Sequence, residues 1–257
     1  MHFDLYACFG RKNVNNKQRL LLLIVLLLLQ PMANSQPVLV LNAVGQPPLN
    51  TSTKDGFIDE VVREAVSRIG YQLIINRLPA ERALRNANNG LADGEMSRVK
   101  GIDKLYRNLI RIPEKLMDWE FVVLSKKPIN LQQGWDSLAN KTVAFIRGWK
   151  ILEKNVPKNA AITKTRSSQQ LFTLLKKDRA DFIIFEHWGA NHLIKQFRLD
   201  NVKPRLPALA KREMFIYLHK KHGILVSKLT QTLAEMKKDG SYDRLVIKHL
   251  TSPLKSN

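Results

Sequence analysis

Residues 57–95 read FIDEVVREAVSRIGYQLIINRLPAERALRNANNGLADGE, and this stretch decides the fold class. Apolar residues recur at helical spacing from Ile58 to Ile69, and Gly70 follows the last of them. An apolar stripe of this period packs one helix face on a core, and glycine commonly ends a helix, so an amphipathic helix is predicted. Residues 71–78 predict a strand that follows it directly.

The same pattern continues on both sides of that helix and strand. Pro79 opens a second predicted helix that ends at Gly90, and a further strand begins at Ala92. A short apolar strand at 38–41 precedes the quoted stretch. The order strand, helix, strand, helix, strand predicts a parallel sheet, because crossover connections within one sheet are right-handed. The fold class is therefore α/β.

A second unit of the same kind begins at residue 142. Ser167 and Gln170 have the spacing of a capping box, which marks the start of its second helix. The predicted elements are a strand at 142–146, a turn at Gly148, a helix at 149–155, a strand at 161–164, a helix at 168–177 and a strand at 181–185.

Two α/β units in series predict two lobes. The strand-like runs 121–124 and 214–218 carry the chain between the units, as a hinge requires. Helices at 224–238 and 242–250 are expected to dock on the first lobe. The boundaries that follow are 36–122 with 217–257 for the first lobe and 123–216 for the second.

The first thirty-five residues, 1–35, predict a cleavable export signal. A basic stretch at 11–19 precedes an apolar run at 20–29, which is too short to cross a bilayer. Ala33 and Ser35 are the small residues that a signal peptidase requires, so the exported chain is expected to start at Gln36. A buried core helix is the alternative, but this run has no polar face.

The cysteine content limits the chemistry. The one cysteine, Cys8, lies in the predicted signal, so the exported chain has no disulfide, thiol nucleophile or thiolate ligand. No cysteine follows the apolar run to carry a lipid anchor. A soluble, non-lipidated, monomeric protein of the periplasm is expected.

The charge is strongly positive, with a net +20 for the whole chain. Residues 1–35 hold four basic residues and one acid, so the exported chain carries +17. Such a field favours anionic partners. The basic residues are spread along the chain without an aromatic-interleaved block or zinc-finger spacing, which argues against nucleic acid as a partner and favours a solvated surface.

No recognisable catalytic or metal-binding pattern is present in the sequence. His187 and His192 are five residues apart, which does not place both on one helical face, and no His-Glu-x-x-His accompanies them. There is no Gly-x-Ser-x-Gly elbow, phosphate loop or dinucleotide fingerprint. The sequence therefore predicts no metal, no cofactor and no enzyme activity.

Five phrases occur in the order found in one known family and span nearly the whole exported chain: KDGFIDEV at 54–61, GLAD at 90–93, VAFIRG at 143–148, RADFII at 179–184 and KDGSY at 238–242. They resemble the bacterial extracellular solute-binding protein family 3, the polar amino acid type that serves ABC transporters. The resemblance implies a two-lobed periplasmic binding protein-like fold of type II with a two-stranded hinge. It also implies a small polar or charged ligand in the cleft and an ABC permease of the inner membrane as partner.

The resemblance also places candidate ligand contacts. Glu186 stands where family members hold the ligand ammonium with a carboxylate. The arginine that clamps the ligand carboxylate falls at Leu105 by an ungapped count, and Lys104 or Arg98 would replace it. The usual Gly-Thr before the second-lobe helix is Gly148-Trp149 here, which removes a hydroxyl and adds a large ring.

The residues themselves support part of this set. Arg98 follows a strand end, where ligands of open parallel sheets bind, although an internal salt bridge with Glu95 would leave the same pattern. Gly148 lets backbone approach a ligand, and the amides that open the Trp149 helix could bind a carboxylate. Arg147 is either a contact that closes the lobes or a surface charge.

The remaining candidates have equally open alternatives. Glu81 and Arg82 open a helix whose backbone amides favour anions, and at least one of them is expected on the surface. Trp119, Trp149 and Trp188 offer a stacking face for a ligand, but burial is the usual state of so large a side chain.

The sequence thus predicts a periplasmic solute-binding protein that closes around its ligand. Two alternatives remain open. Cyclohexadienyl dehydratases share the implied fold and use a cleft carboxylate as general acid, a role that Glu186, Glu95 or Glu81 would fill. The other alternative is a sensor or accessory protein that binds a partner without feeding a transporter.

Overall fold

The structure, a computed structural model, describes residues 36–251. The predicted export signal, 1–35, lies outside the described residues. Among the described helices, none is long and apolar enough to span a bilayer.

The first lobe is built on the parallel sheet that residues 57–95 predict. β1 (Val38–Ala43) lies between β2 (Gln72–Arg77) and β3 (Gly94–Val99) and runs parallel to both. The crossover helices are α1 (Phe57–Arg68) and α2 (Ala80–Asn88). The predicted apolar stripe of α1 is buried, which confirms that its helical period marks the face that packs on the sheet. Its buried apolar residues are Phe57, Ile58, Val61, Val62, Ala65 and Val66.

Two long strands connect the lobes. β5 (Met117–Ser125) and β9 (Lys203–His219) pair antiparallel from Met117 opposite Met214 to Ser125 opposite Lys203. The last part of β9 pairs with β3 and with the short β4 (Leu109–Arg111), which follows a 3-10 helix at Ile102–Lys104. The two-stranded connection expected of a hinge is therefore present, and both predicted lobe boundaries fall within β5 and β9.

The second lobe repeats the α/β pattern. β6 (Thr142–Ile146) runs parallel to β7 (Ala161–Thr165) and β8 (Phe182–Glu186), and β8 pairs antiparallel with β5. The helices are α3 (Lys150–Asn155), α4 (Ser168–Lys176) and α5 (His187–Gln196). The Ser167 hydroxyl accepts the Gln170 amide at 3.2 Å, which confirms the predicted cap of α4. The strands form one continuous sheet in the order β2-β1-β3-β9-β5-β8-β6-β7.

The last described helices pack on the first lobe, as predicted. α6 (Leu225–Lys238) and α7 (Ser241–Val246) contact α1, and a π-helical turn (Ile247–Thr251) follows. The rings of Phe57 and Tyr242 meet edge to face at 5.6 Å. Glu60 of α1 also binds Lys248 of that turn at 2.6 Å.

Part of the architecture differs from the prediction. The sequence predicts a strand only at 214–218, but β9 already begins at Lys203. Its first part was not predicted because Pro204 and Pro207 lack the backbone amide that donates hydrogen bonds within a sheet. Helix α5 was not predicted, and its N-terminus lies directly after β8. That position places a helix start at the edge of the cleft.

Candidate functional site

The two lobes touch through a glycine of the second lobe. Gly148 has φ +87°, and a Cβ built on it would lie 2.4 Å from the backbone nitrogen of Glu81 at the start of α2. Gly189 in α5 similarly approaches Gln46 in the loop after β1, with 3.1 Å from a built Cβ to the Gln46 Cβ. The cleft is closed in this structure, and the closure depends on the small size of Gly148.

An ion pair spans the same contact. The Lys150 ammonium lies 2.6 Å from Glu81 across the cleft and 2.9 Å from Glu153 in its own helix. Burial alone would lower the pKa of Lys150, but the two carboxylates outweigh it and raise that pKa above its ordinary value. Burial likewise raises the pKa of Glu81, and its bonds to Lys150 and Arg85 lower it more. Both groups therefore stay charged at neutral pH, and the pair favours the closed arrangement.

The centre of the cleft brings together four of the predicted site residues. Arg98, Trp119, Gly148 and Trp149 line a central cavity of about 30 Å³. The Trp149 ring lies 5.8 Å from the rings of Trp119 and Phe121 and 4.9 Å from that of Phe185. The tryptophans are buried, and a space of this size holds about one water molecule.

Arg98 is already paired within the protein. Its Nε donates to Glu95 at 2.6 Å, and its Nη2 donates to the carbonyl of Ala80 at 2.9 Å. The side chains are 5% and 0% exposed for Arg98 and Glu95. Burial raises the pKa of Glu95, and the Arg98 charge and its hydrogen bond oppose that rise. Of the two alternatives that the sequence left open for Arg98, the internal ion pair is present.

Glu186 is the buried carboxyl at the start of α5. Its Oε1 accepts the Gly189 amide at 2.7 Å, and its Oε2 is buried without a hydrogen-bond partner among the described residues. Burial raises the pKa of Glu186 to about 8, and the amides of Gly189 and Trp188 offset only part of this rise. The carboxyl is therefore mostly protonated at neutral pH, an uncommon state for glutamate.

Other predicted residues lie outside this centre. Arg82 and Arg147 have exposed side chains, and the Arg147 amide donates to the Thr165 carbonyl in the sheet. Trp188 is half-buried beside His187, with ring centroids 5.9 Å apart. Among the described residues, no group of three His, Cys, Asp or Glu side chains could hold a metal ion.

A second cavity, of about 200 Å³, lies beside the central one and was not predicted. Its walls include the ends of β1, β2 and β6 and the start of α4, so that both lobes contribute. Arg77 of the first lobe and Arg166 of the second line it, together with Gln46, Ser167 and Ser168. We call it the arginine cavity. Val44 and Trp149 line both this cavity and the central one, so the two cavities are neighbours.

Sequence signals for part of this site exist. Arg77 ends β2, the same kind of strand end that identified Arg98 as a candidate. Its guanidinium donates to the carbonyls of Gly45 at 2.8 Å and Thr51 at 3.1 Å, which hold it at the cavity.

Ser97, next to Arg98, was also missed by the sequence analysis. Its hydroxyl and the Trp119 indole nitrogen are buried without partners among the described residues, although both residues line the central cavity.

Comparison with solved structures identifies the architecture. A mutant of ArgBP from T. maritima matches with a TM-score of 0.72 and 19% identity, covering 84% of this chain and 96% of that one. The substrate-binding protein of an amino acid ABC transporter matches with a TM-score of 0.71 and 20% identity, covering 84% and 100%. The chain has the two-lobed periplasmic binding protein fold. The resemblance noted in the sequence is thus confirmed for the fold.

Sequence comparison finds a relative of this chain. An uncharacterized protein of Shewanella oneidensis is 27% identical over 193 residues, which is 72% of each chain. No family model matches the chain. These sequence comparisons therefore assign no role to any residue of the cleft.

Proposed function

We propose that this chain is an exported solute-binding protein that closes its lobes around a small ligand with a carboxylate or similar anionic group. The observation that carries the proposal is the arginine cavity, whose walls come from both lobes at the carboxyl ends of their strands. A ligand that touches both lobes binds the closed form more tightly and so shifts the equilibrium towards it. The solved structures with this fold include an amino acid transporter's substrate-binding protein, which supports the same class of ligand.

The cavity suits an anion. Arg77 and Arg166 line it from opposite lobes. The N-terminus of α4 also lies at the cavity, because Ser167 and Ser168 at the start of that helix are part of the lining. Guanidinium groups bind carboxylates through charge-assisted hydrogen bonds, and helix N-termini favour negative charge. A volume of about 200 Å³ is below the range of about 300 to 1,000 Å³ typical of drug-sized ligands. The ligand is therefore a small carboxylate or an amino acid.

The unpartnered groups beside the cavity favour an amino acid-like ligand. Ser97 and Trp119, which line the central cavity, each have a buried polar atom without a partner among the described residues. Such atoms normally find a hydrogen bond, so a polar group of the ligand would stabilise them. Movement of Trp149 would join the central and arginine cavities into one site.

Substitution of Arg166 tests this assignment. Arg166→Gln is expected to lower the affinity for the ligand about tenfold or more, because one charge-assisted bond contributes about 1.5 to 3 kcal/mol. The control is Arg179→Gln, an equal change at an exposed arginine of the same lobe, which should leave affinity unchanged. A panel of amino acids, small carboxylates and peptides is first tested for compounds that raise the melting temperature of the native protein, which identifies the ligand. Titration calorimetry then compares the affinities of the two variants for that ligand.

Either of two results would reject the assignment. The first is that no compound of the panel raises the melting temperature of the native protein. The second is that Arg166→Gln and Arg179→Gln bind the ligand equally well.

Export and delivery complete the proposal. The predicted signal supports export of the mature chain to the periplasm, where we propose that it acts as a soluble monomer and that its closed form docks on an ABC permease. N-terminal sequencing of the protein from a periplasmic extract should give Gln36 as the first residue. A protein that retains residues 1–35 would contradict export by cleavage.

One observation favours the dehydratase alternative. A glutamic acid that is protonated at neutral pH, as burial makes Glu186, has the form that a general acid requires. Incubation with prephenate or arogenate separates the two functions, since a dehydratase releases an aromatic product and a binding protein returns the compound unchanged.

A further inference from the structure

A third cavity, of about 990 Å³, opens where the first lobe, the second lobe and β9 meet. Its lining includes Val99 at the end of β3, the residues 100–102, 104 and 105 that follow it, the residues 150, 151 and 153–155 of α3, and Arg212 of β9. We call it the basic groove. The central cavity shares Val99, Ile102, Lys150 and Ile151 with the groove, and it shares Val44 and Trp149 with the arginine cavity. The groove therefore lies on the other side of the central cavity from the proposed ligand site.

The groove carries uncompensated positive charge. Lys100, Lys104 and Lys154 are exposed and form no ion pair with any described residue. Arg212 is also exposed, and its guanidinium donates to a backbone carbonyl, that of Lys211, at 2.8 Å. Glu153 is in the lining too, but it is already bonded to Lys150. Both lobes thus present free cations to one concave surface, which concentrates a positive potential there.

The groove also has an apolar lining. Val99, Ile102 and Ile151 contribute to it, and Leu105 stands 66% exposed among the lysines. An apolar part of a ligand in this concave surface would cover Leu105 and remove its apolar area from water. An inorganic anion would gain nothing from these side chains. Charge and lining together fit an organic molecule that carries several anionic groups.

We propose that the basic groove binds an organic anion with two or more phosphate, sulfate or carboxylate groups on an apolar body. The anionic groups bind Lys100 and Lys104 on one lobe and Lys154 on the other, and the body covers Leu105. Because the walls belong to both lobes, the bound anion favours the closed arrangement. This last effect rests on the closure proposed above, whereas binding itself does not.

The test uses bis-ANS, a fluorescent probe with two sulfonates on naphthalene rings, and the full exported chain. The native protein should bind it at low salt, and tripolyphosphate should displace it. Lys104→Glu combined with Lys154→Glu changes one groove lysine on each lobe. This double variant is expected to bind bis-ANS about tenfold or more weakly than the native protein. Lys158→Glu combined with Lys228→Glu changes the net charge equally at exposed lysines outside the groove, and less than about a twofold loss is expected.

A further variant separates the apolar contact from the charge. Leu105→Ser should weaken bis-ANS while leaving the concentration at which tripolyphosphate binds unchanged. Equal losses in the groove and control variants, or failure of tripolyphosphate to displace the probe, would overturn the site. An unchanged affinity of Leu105→Ser for bis-ANS would overturn the organic nature of the ligand.

The two proposals fail separately. Arg166→Gln should keep the native affinity for bis-ANS, because Arg166 lines the arginine cavity on the far side of Trp149. Loss of small-ligand binding without loss of probe binding therefore concerns the proposed function alone. A parallel loss of both in Arg166→Gln would mean that the groove is not an independent site.

Discussion

Glu186→Gln is expected to flatten the dependence of the free energy of unfolding on pH. Burial raises the pKa of Glu186 from 4.5 to about 8, so between these pH values the folded protein holds a proton that the unfolded chain has released. The contribution of this group to stability is complete below pH 4.5 and is lost as the pH rises to 8. The loss amounts to about 1.4 kcal/mol per pH unit.

Glutamine keeps the shape and the neutral charge of the protonated acid. Its carbonyl accepts the Gly189 amide, so the variant and the native protein should unfold with similar free energies near pH 5. At pH 8 the variant should be more stable, by on the order of 3 kcal/mol. Urea titrations at a series of pH values measure the difference.

The matched control is Glu235→Gln, at an exposed carboxylate of α6. It should reproduce the native pH profile. A Glu186→Gln variant whose profile parallels that of the native protein between pH 5 and 8 would show that the buried carboxyl is charged, and would remove it as a candidate general acid.

Gly148→Ala is expected to prevent closure of the lobes. The positive φ of +87° strains any residue with a Cβ, and the new carbon would lie 2.4 Å from the Glu81 nitrogen in the other lobe. The atoms that the new Cβ would meet belong to the backbone of Ala80 and Glu81, and no flexible side chain can move out of the way. The lobes must therefore separate. The ligand affinity should fall about tenfold or more, and the radius of gyration measured by X-ray scattering should increase.

Gly70→Ala is the control, because it shares the strain without the collision. Gly70 has φ +83°, and a built Cβ meets nothing within 4 Å. Both variants should lose about 1 to 2 kcal/mol of stability from the left-handed backbone. Only Gly148→Ala should lose ligand and expand. Equal ligand affinity and equal radius in the two variants would show that this contact is not required for closure.

The sequence predicted the elements whose pattern is local. The helix at 57–68, the flanking parallel strands and the cap of α4 at Ser167 follow from residues within one or two turns of each other. The first part of β9 did not follow, because Pro204 and Pro207 disfavour a strand and its pairing with β5 is formed by residues distant in the chain.

The candidate site was predicted in part for the same reason. The positions of Gly148, Trp149 and Arg98 at the ends of strands are a matter of element order, and the structure brings them together. Whether Arg98 is free for a ligand depends on Glu95 and on the Ala80 carbonyl in another helix. The meeting of Arg77 and Arg166 depends on the closure of two lobes, and no local pattern records it.

By itself, then, the sequence determined the α/β units, their order and the glycine turn at the cleft, because periodicity and capping act between neighbouring residues. Only the tertiary structure decided which polar groups are paired, which are buried without partners, and where the free charges gather. Burial and pairing of Glu186, Arg98 and the groove lysines are set by side chains that arrive from distant segments, and their energies exist only once those segments have packed.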